Sequence, residues 1–153
     1  MSNNIEKKLQ ELQIEIPQIA IPVANYLPFI KSGNQIFISG QLPKNKDGLI
    51  AGKIGKDISV EDGIKAAQIC AINIIAVLKE ACNGDLSKVK QCVKLGIFVN
   101  GVDNFADHPK VGNGASDLMV AVFGDKGKHA RFAMGAGSLP FNAAVEIDAI
   151  FEI

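Results

Sequence analysis

A chain of 153 residues, 48% of them hydrophobic, is long enough to bury one core without disulfide or metal staples. Sixteen Lys and Arg balance sixteen Asp and Glu, which disfavours a generic nucleic-acid binder, because that function needs a basic face. No stretch reaches the roughly 18 uninterrupted apolar residues of a membrane span, and the N-terminal MSNNIEKKLQELQIEI lacks the apolar core of a secretory signal, so the expected compartment is the cytoplasm.

Residues 4–13 set Ile5, Leu9 and Leu12 on one helical face, with Asn3 or Asn4 as the cap. This helix is read as an extension over residues 1–16, and the whole of 1–153 as one domain. Pro17, Pro22 and Pro28 keep the next stretch extended. PFIKSGNQIFISG predicts two short strands around Ser32-Gly33-Asn34, followed by a polar loop from Pro43 to Lys56. Ser59 opens a helix, with Asp62 at its third position as a weaker form of the capping box. From Ile64 to Ala81 this helix is apolar over most of its circumference, so it should lie against a sheet; Asn83-Gly84 ends it.

VKQCVKLGIFV alternates, which predicts a strand with Val89, Val93, Leu95, Ile97 and Val99 on one face, broken by Gln91. Asp107 is predicted to cap a helix that carries Pro109 in its first turn and runs to about Phe123. His129 to Gly135 is a predicted strand. AAVEIDAIFEI alternates again, with Ala143, Val145, Ile147, Ala149, Phe151 and Ile153 on one side and Glu146, Asp148 and Glu152 on the other. The order helix, β, β, helix, β, helix, β, β predicts an α+β layer, with two helices on one face of a mixed four- or five-stranded sheet. The other face has no helix to cover it, yet several strands are apolar enough for cover on both sides. A second subunit is the expected cover.

Cys70, Cys82 and Cys92 are odd in number and form no CxxC pair, so they read as buried, reduced thiols. His108 and His129 have no cysteine placed to complete a metal set, so no metal site is expected. Arg131 is the only arginine beside fifteen lysines. Its planar fork grips a carboxylate or phosphate with two parallel hydrogen bonds, which lysine cannot copy. The alternative is a structural ion pair. Arg131 and Glu146 fall on successive predicted strands joined around Leu139-Pro140, and antiparallel pairing would bring them together. They would then form either a salt bridge or a carboxylate-binding arginine beside an acid/base glutamate.

Several of these residues fit one pattern. Arg131 is followed eight residues on by Leu139-Pro140 and then by Val145-Glu146-Ile147. ISGQLP spans Ile38 to Pro43, Tyr26 stands fourteen residues before Gly40, and Asn113 lies in the opening turns of the second long helix. Over residues 20–153 the chain resembles the RidA/YjgF family of reactive-intermediate imine deaminases, also known as L-PSP endoribonucleases. The resemblance implies the chorismate-mutase-like α+β fold, assembled as a homotrimer with clefts between subunits. It implies that Arg131 holds the carboxylate of a 2-imino or 2-aminoacrylate compound, oriented by backbone groups near Gly40 and Ala133. Glu146 would position or deprotonate the attacking water, or protonate the substrate, while Tyr26 and Asn113 line the pocket. The products would be a 2-oxo acid and ammonia, with neither metal nor organic cofactor. Ala133 stands where many members have cysteine, Met134 to Ser138 is richer in glycine, and Pro28 replaces a glutamine. With the N-terminal helix and the Asp107–Lys110 insertion, these departures resemble a longer subgroup. Two other functions remain open: a non-catalytic small-carboxylate-binding or regulatory module, and an endoribonuclease, against which the balanced charge and single arginine speak.

Overall fold

A computed structural model describes residues 3–19 and 24–153. The amphipathic N-terminal segment forms α1 (Asn3–Glu11). Its Leu9 is buried and Ile5 half-buried, whereas Leu12, expected on the same face, is 40% exposed just past the helix end. Asn3 and Asn4 are already helical, so the cap, like Pro22, lies outside the described residues. Helix α1 rests against the second long helix of the core layer and a short turn at Leu86–Lys88 rather than against the sheet.

The two early strands are β1 (Phe29–Ser32) and β2 (Gln35–Gln41), joined by a tight turn in which Gly33 takes φ 60°. The stretch expected as plain loop after Pro43 holds a small hairpin, β3 (Lys44–Asn45) with β4 (Gly48–Leu49). Ser59 caps α2 (Val60–Ala81) by accepting the Asp62 backbone N–H at 3.1 Å. Cys70, Ile74, Ile75 and Leu78 of this helix are fully buried. Each of the larger side chains contributes about 1.5–3 kcal/mol by leaving water. Positive φ at Asn83 and Gly84 turns the chain away, as the Asn-Gly pair predicts.

Strand β5 (Gln91–Val99) differs from its predicted pattern at one residue. Its pairing with the final strand, β7 (Val145–Glu152), shifts register between Cys92 and Lys94. The bulge gives Cys92 the inward position opposite Phe151, and Val93, expected in the core, is only half-buried. Helix α3 (His108–Phe123) carries Pro109 in its first turn and has Asp107 at its N-cap position, as expected, but the Asp107 side chain accepts no capping hydrogen bond. The 3-10 turn Gly124–Gly127 leads to β6 (Ala130–Gly135).

The five-stranded sheet runs β1-β2-β7-β5-β6. Strands β5 and β6 are parallel, joined across α3, while β7 lies antiparallel between β2 and β5. Both α2 and α3 cover the face carrying Ile36, Ile38, Leu95, Ile97, Val145, Ile147 and Phe151, all buried. Among the described residues no helix covers the opposite face, where Ile30, Phe37 and Met134 are 52, 42 and 48% exposed.

Among the described residues one polar side chain sits fully inside: Asn100 accepts from Lys53 Nζ at 3.0 Å and donates to Asn142 Oδ1 at 3.0 Å and the Ala143 carbonyl at 3.1 Å. It ties the loop after β4 to the turn before β7, where Phe141 and Asn142 both take φ 57°.

Candidate functional site

Arg131 pairs with Leu95 across the parallel β5–β6 ladder, and Leu95 faces the helices, so the arginine also projects to the helix side. There it meets α3. Nη1 donates to Ser116 Oγ at 3.0 Å and Nη2 to the Pro109 carbonyl at 3.3 Å. Gly112 makes the room: a Cβ there would lie 3.1 Å from Arg131 Nη1 and 3.4 Å from the Ala133 Cβ. Two of the five guanidinium N–H groups are thus used, and no carboxylate pairs with it among the described residues. Ala133 shares this side of β6, two residues on and half-buried.

Glu146 occupies the opposite face, between the inward-facing Val145 and Ile147. The sheet order overturns the expected meeting of Arg131 and Glu146. Strand β5 lies between β6 and β7, and the two side chains leave the sheet on opposite faces. An Arg131–Glu146 salt bridge within one chain is therefore absent. Burial, and then the neighbouring Asp148 anion, push the Glu146 carboxyl above the usual carboxylate range. Among the described residues neither a cation nor a hydrogen-bond donor contacts it.

Gly40 lies against this carboxylate. The pairing of β2 with β7 breaks register between Ile38 and Gln41, and at that bulge a Cβ on Gly40 would stand 2.5 Å from Glu146 Oε1. Tyr26, 59% exposed, shares with Pro28, Ser39, Gly40 and Gln41 an open groove of about 430 Å³. The Ser39 hydroxyl is engaged structurally, donating to the Leu27 carbonyl at 2.6 Å. Asn113 is not brought to these residues. It is exposed and lines a separate groove with Ile64, Gln68, Lys110 and Asp117. One chain therefore carries separated pieces: Arg131 with Ala133 beside α3, Glu146 with Gly40 at the helix-free face, and Tyr26 in a groove that reaches from Gly40 to Asn73, Ala76 and Val77 of α2.

Three contributors went unread in the sequence: Gly112, Ser116 and His129. Ser116 Oγ bridges Arg131 Nη1 and His129 Nε2, at 3.0 and 2.8 Å. The spacing of His129 and Arg131, two residues apart on one extended segment, was the available signal, since such residues share a face.

A mixed sheet with two crossover helices on one face, bearing a free arginine and a lone carboxylate, defines the chorismate-mutase-like α+β class. Residues 6–152 match the family described as "YjgF/chorismate_mutase-like, putative endoribonuclease", and the chain belongs to that family. It is 44% identical over 154 residues to the protein TCP17 of Trypanosoma cruzi, covering 99% of this chain and 96% of that one. It is 30% identical to a 2-iminobutanoate/2-iminopropanoate deaminase of Dermatophagoides farinae, covering 92% and 94%. The crystal structure of Atu1372 from Agrobacterium tumefaciens superposes with a TM-score of 0.90 at 48% identity, covering 99% of this chain and 94% of that one. No helix among the described residues is long and apolar enough to cross a membrane.

Proposed function

We propose that this protein hydrolyses reactive 2-imino acids, including those formed from 2-aminoacrylate, to 2-oxo acids and ammonia in the cytoplasm, as a homotrimer. The observation that carries this reading is a pair of unsatisfied opposite charges. Arg131 is half-buried and held only by neutral acceptors, while Glu146 is half-buried with no cation near it. Half-buried charges without partners cost free energy, so their retention favours a charged ligand and a second chain. A copy that laid its helix-free face against the β6 edge of a neighbour would bring Glu146 of one chain toward Arg131 of the next. The same contact would cover Ile30, Phe37 and Met134.

In such a cleft Arg131 grips the substrate carboxylate through its remaining N–H groups. Glu146, as carboxylate, takes a proton from water as the oxygen bonds to the imine carbon and the C=N electron pair moves to nitrogen. Glu146 returns that proton to the nitrogen to complete the carbinolamine; on collapse it takes the hydroxyl proton and passes it to the same nitrogen as the C–N bond breaks, so ammonia departs and the 2-oxo acid remains. The imine is already electrophilic, so the reaction asks for no cofactor. Gly40 and Ala133 backbone groups orient the carboxylate, and Tyr26 bounds the pocket.

Subunit mixing tests the whole reading. Arg131→Gln and Glu146→Gln each abolish hydrolysis of 2-aminoacrylate generated by a dehydratase, and co-refolded mixtures regain part of it, because some clefts join two intact halves. A mixture as inactive as its components, or a stable monomer by sedimentation at micromolar concentration, rejects the two-chain site. Binding of 2-oxo acids without any hydrolysis above the spontaneous rate favours a binding module instead.

A further inference from the structure

The guanidinium of Arg131 is aimed by a chain of groups whose hydrogen-bond directions are fixed when the His129 ring carries a single proton. Gly127 offers His129 Nδ1 only a carbonyl oxygen, 2.6 Å away, so that nitrogen carries the proton. In the neutral ring Nε2 then accepts, and the Ser116 hydroxyl donates to it at 2.8 Å. With its proton so directed, Ser116 Oγ presents a lone pair to Arg131 Nη1, which donates to it at 3.0 Å. The direction runs unbroken from Arg131 through Ser116 and His129 to the Gly127 carbonyl. A second tether, from Nη2 to the Pro109 carbonyl at 3.3 Å, fixes the other arm of the fork.

We infer that Ser116 and His129 are positioning residues that orient Arg131 for its carboxylate ligand, a deepening that rests on the role proposed for Arg131 above. An aspartate or glutamate in their place would hold the guanidinium as firmly. It would also neutralise the charge and compete with the incoming carboxylate. A hydroxyl backed by a neutral imidazole fixes the plane of the fork and leaves its charge free. The exit from α3 supports this. The 3-10 turn Gly124–Gly127 places the Gly127 carbonyl against the ring, and Ser116 lies one helical turn beyond Gly112, where the guanidinium enters.

Calorimetry with 2-oxobutyrate on the full chain tests the inference. Ser116→Ala and His129→Phe each weaken binding about tenfold, the worth of one oriented hydrogen bond to a charged group. In hydrolysis KM rises with little change in kcat, because the lost interaction serves ground state and transition state alike. His129→Gln, which can return an amide acceptor to the place of Nε2, restores most of the affinity. Long-range proton–nitrogen spectra of the unmutated protein show His129 as the Nδ1–H tautomer, a readout that needs no variant to fold. An Nε2–H tautomer, or His129→Gln as weak as His129→Phe, overturns the inference. If Arg131→Gln loses binding while Ser116→Ala and His129→Phe bind like wild type, the positioning role falls and the carboxylate-clamp reading stands. If Arg131→Gln itself binds like wild type, both fall.

Discussion

Replacing Gly40 by alanine displaces one carboxylate and little else. The new Cβ would stand 2.5 Å from Glu146 Oε1, against an ordinary contact that begins near 3.4 Å, so the oxygen must retreat by about 0.9 Å. Gly40 does not need a left-handed backbone, so alanine fits its φ without strain. Loss of glycine freedom in the unfolded chain stabilises by about 0.4–1 kcal/mol. Moving Glu146 off its rotamer costs about 0.5–1.5 kcal/mol. The two nearly cancel, and the melting temperature stays within a few degrees of wild type. Catalysis does not enjoy that cancellation, since a displacement of about 1 Å at a reacting group costs on the order of 10²-fold. The expected result is a folded protein whose kcat/KM for 2-aminoacrylate hydrolysis falls about a hundredfold. In a Glu146→Gln background the same substitution should cost almost nothing more, because both changes act through one side chain. Wild-type turnover by Gly40→Ala, or an undiminished further loss in the Glu146→Gln background, would refute the reasoning.

Arg131→Lys keeps the charge and loses the fork, so 2-oxo acids should bind more weakly by about 1–3 kcal/mol, and equal affinity by calorimetry excludes a bidentate clamp. Asp148 helps to hold the Glu146 carboxyl above its usual range. Asp148→Asn should therefore lower that value and move the acid limb of the kcat/KM profile to lower pH; a shift to higher pH contradicts the assignment of Glu146 as base. Burial raises the thiols of Cys70 and Cys82 and pushes Cys92 up to about 12, so Ellman's reagent should label none of the three in native protein at pH 8 and all three in guanidinium. Asn100→Ala leaves the Lys53 ammonium and the Ala143 carbonyl without their buried partner. Chemical denaturation should show a loss of at least about 2 kcal/mol.

Where local chemistry decides structure, the sequence was readable. Ser59 and Asn83-Gly84 marked both ends of α2, and strict alternation put Glu146 and Asp148 opposite Val145 and Ile147. The β5 bulge was not readable, because one inserted residue at Cys92 reverses facing without changing composition. Nor was the separation of Arg131 from Glu146. Strands adjacent in sequence need not be neighbours in a sheet, and a parallel β5–α3–β6 crossover places β6 beside β5 rather than beside β7. Arg131 drew notice as the sole arginine and Glu146 as an acid of the next predicted strand, beyond the turn at Leu139-Pro140. Ser116 carried no such mark, since a serine within a helix gives no sign of the loop histidine it faces.

The placement of β7 bears on how the chain is made. It follows every other strand in sequence, yet it lies in the middle of the sheet, with β2 on one side and β5 on the other. During vectorial synthesis β1, β2 and α2 can form a local unit, as can β5, α3 and β6. Each unit then waits with one ladder edge unpaired and the apolar surface beside it exposed. Only when β7 leaves the ribosome can the two units be joined into one sheet. Closure of the sheet is therefore expected to wait for β7, and nascent chains stalled before Val145 are the species most in need of a chaperone.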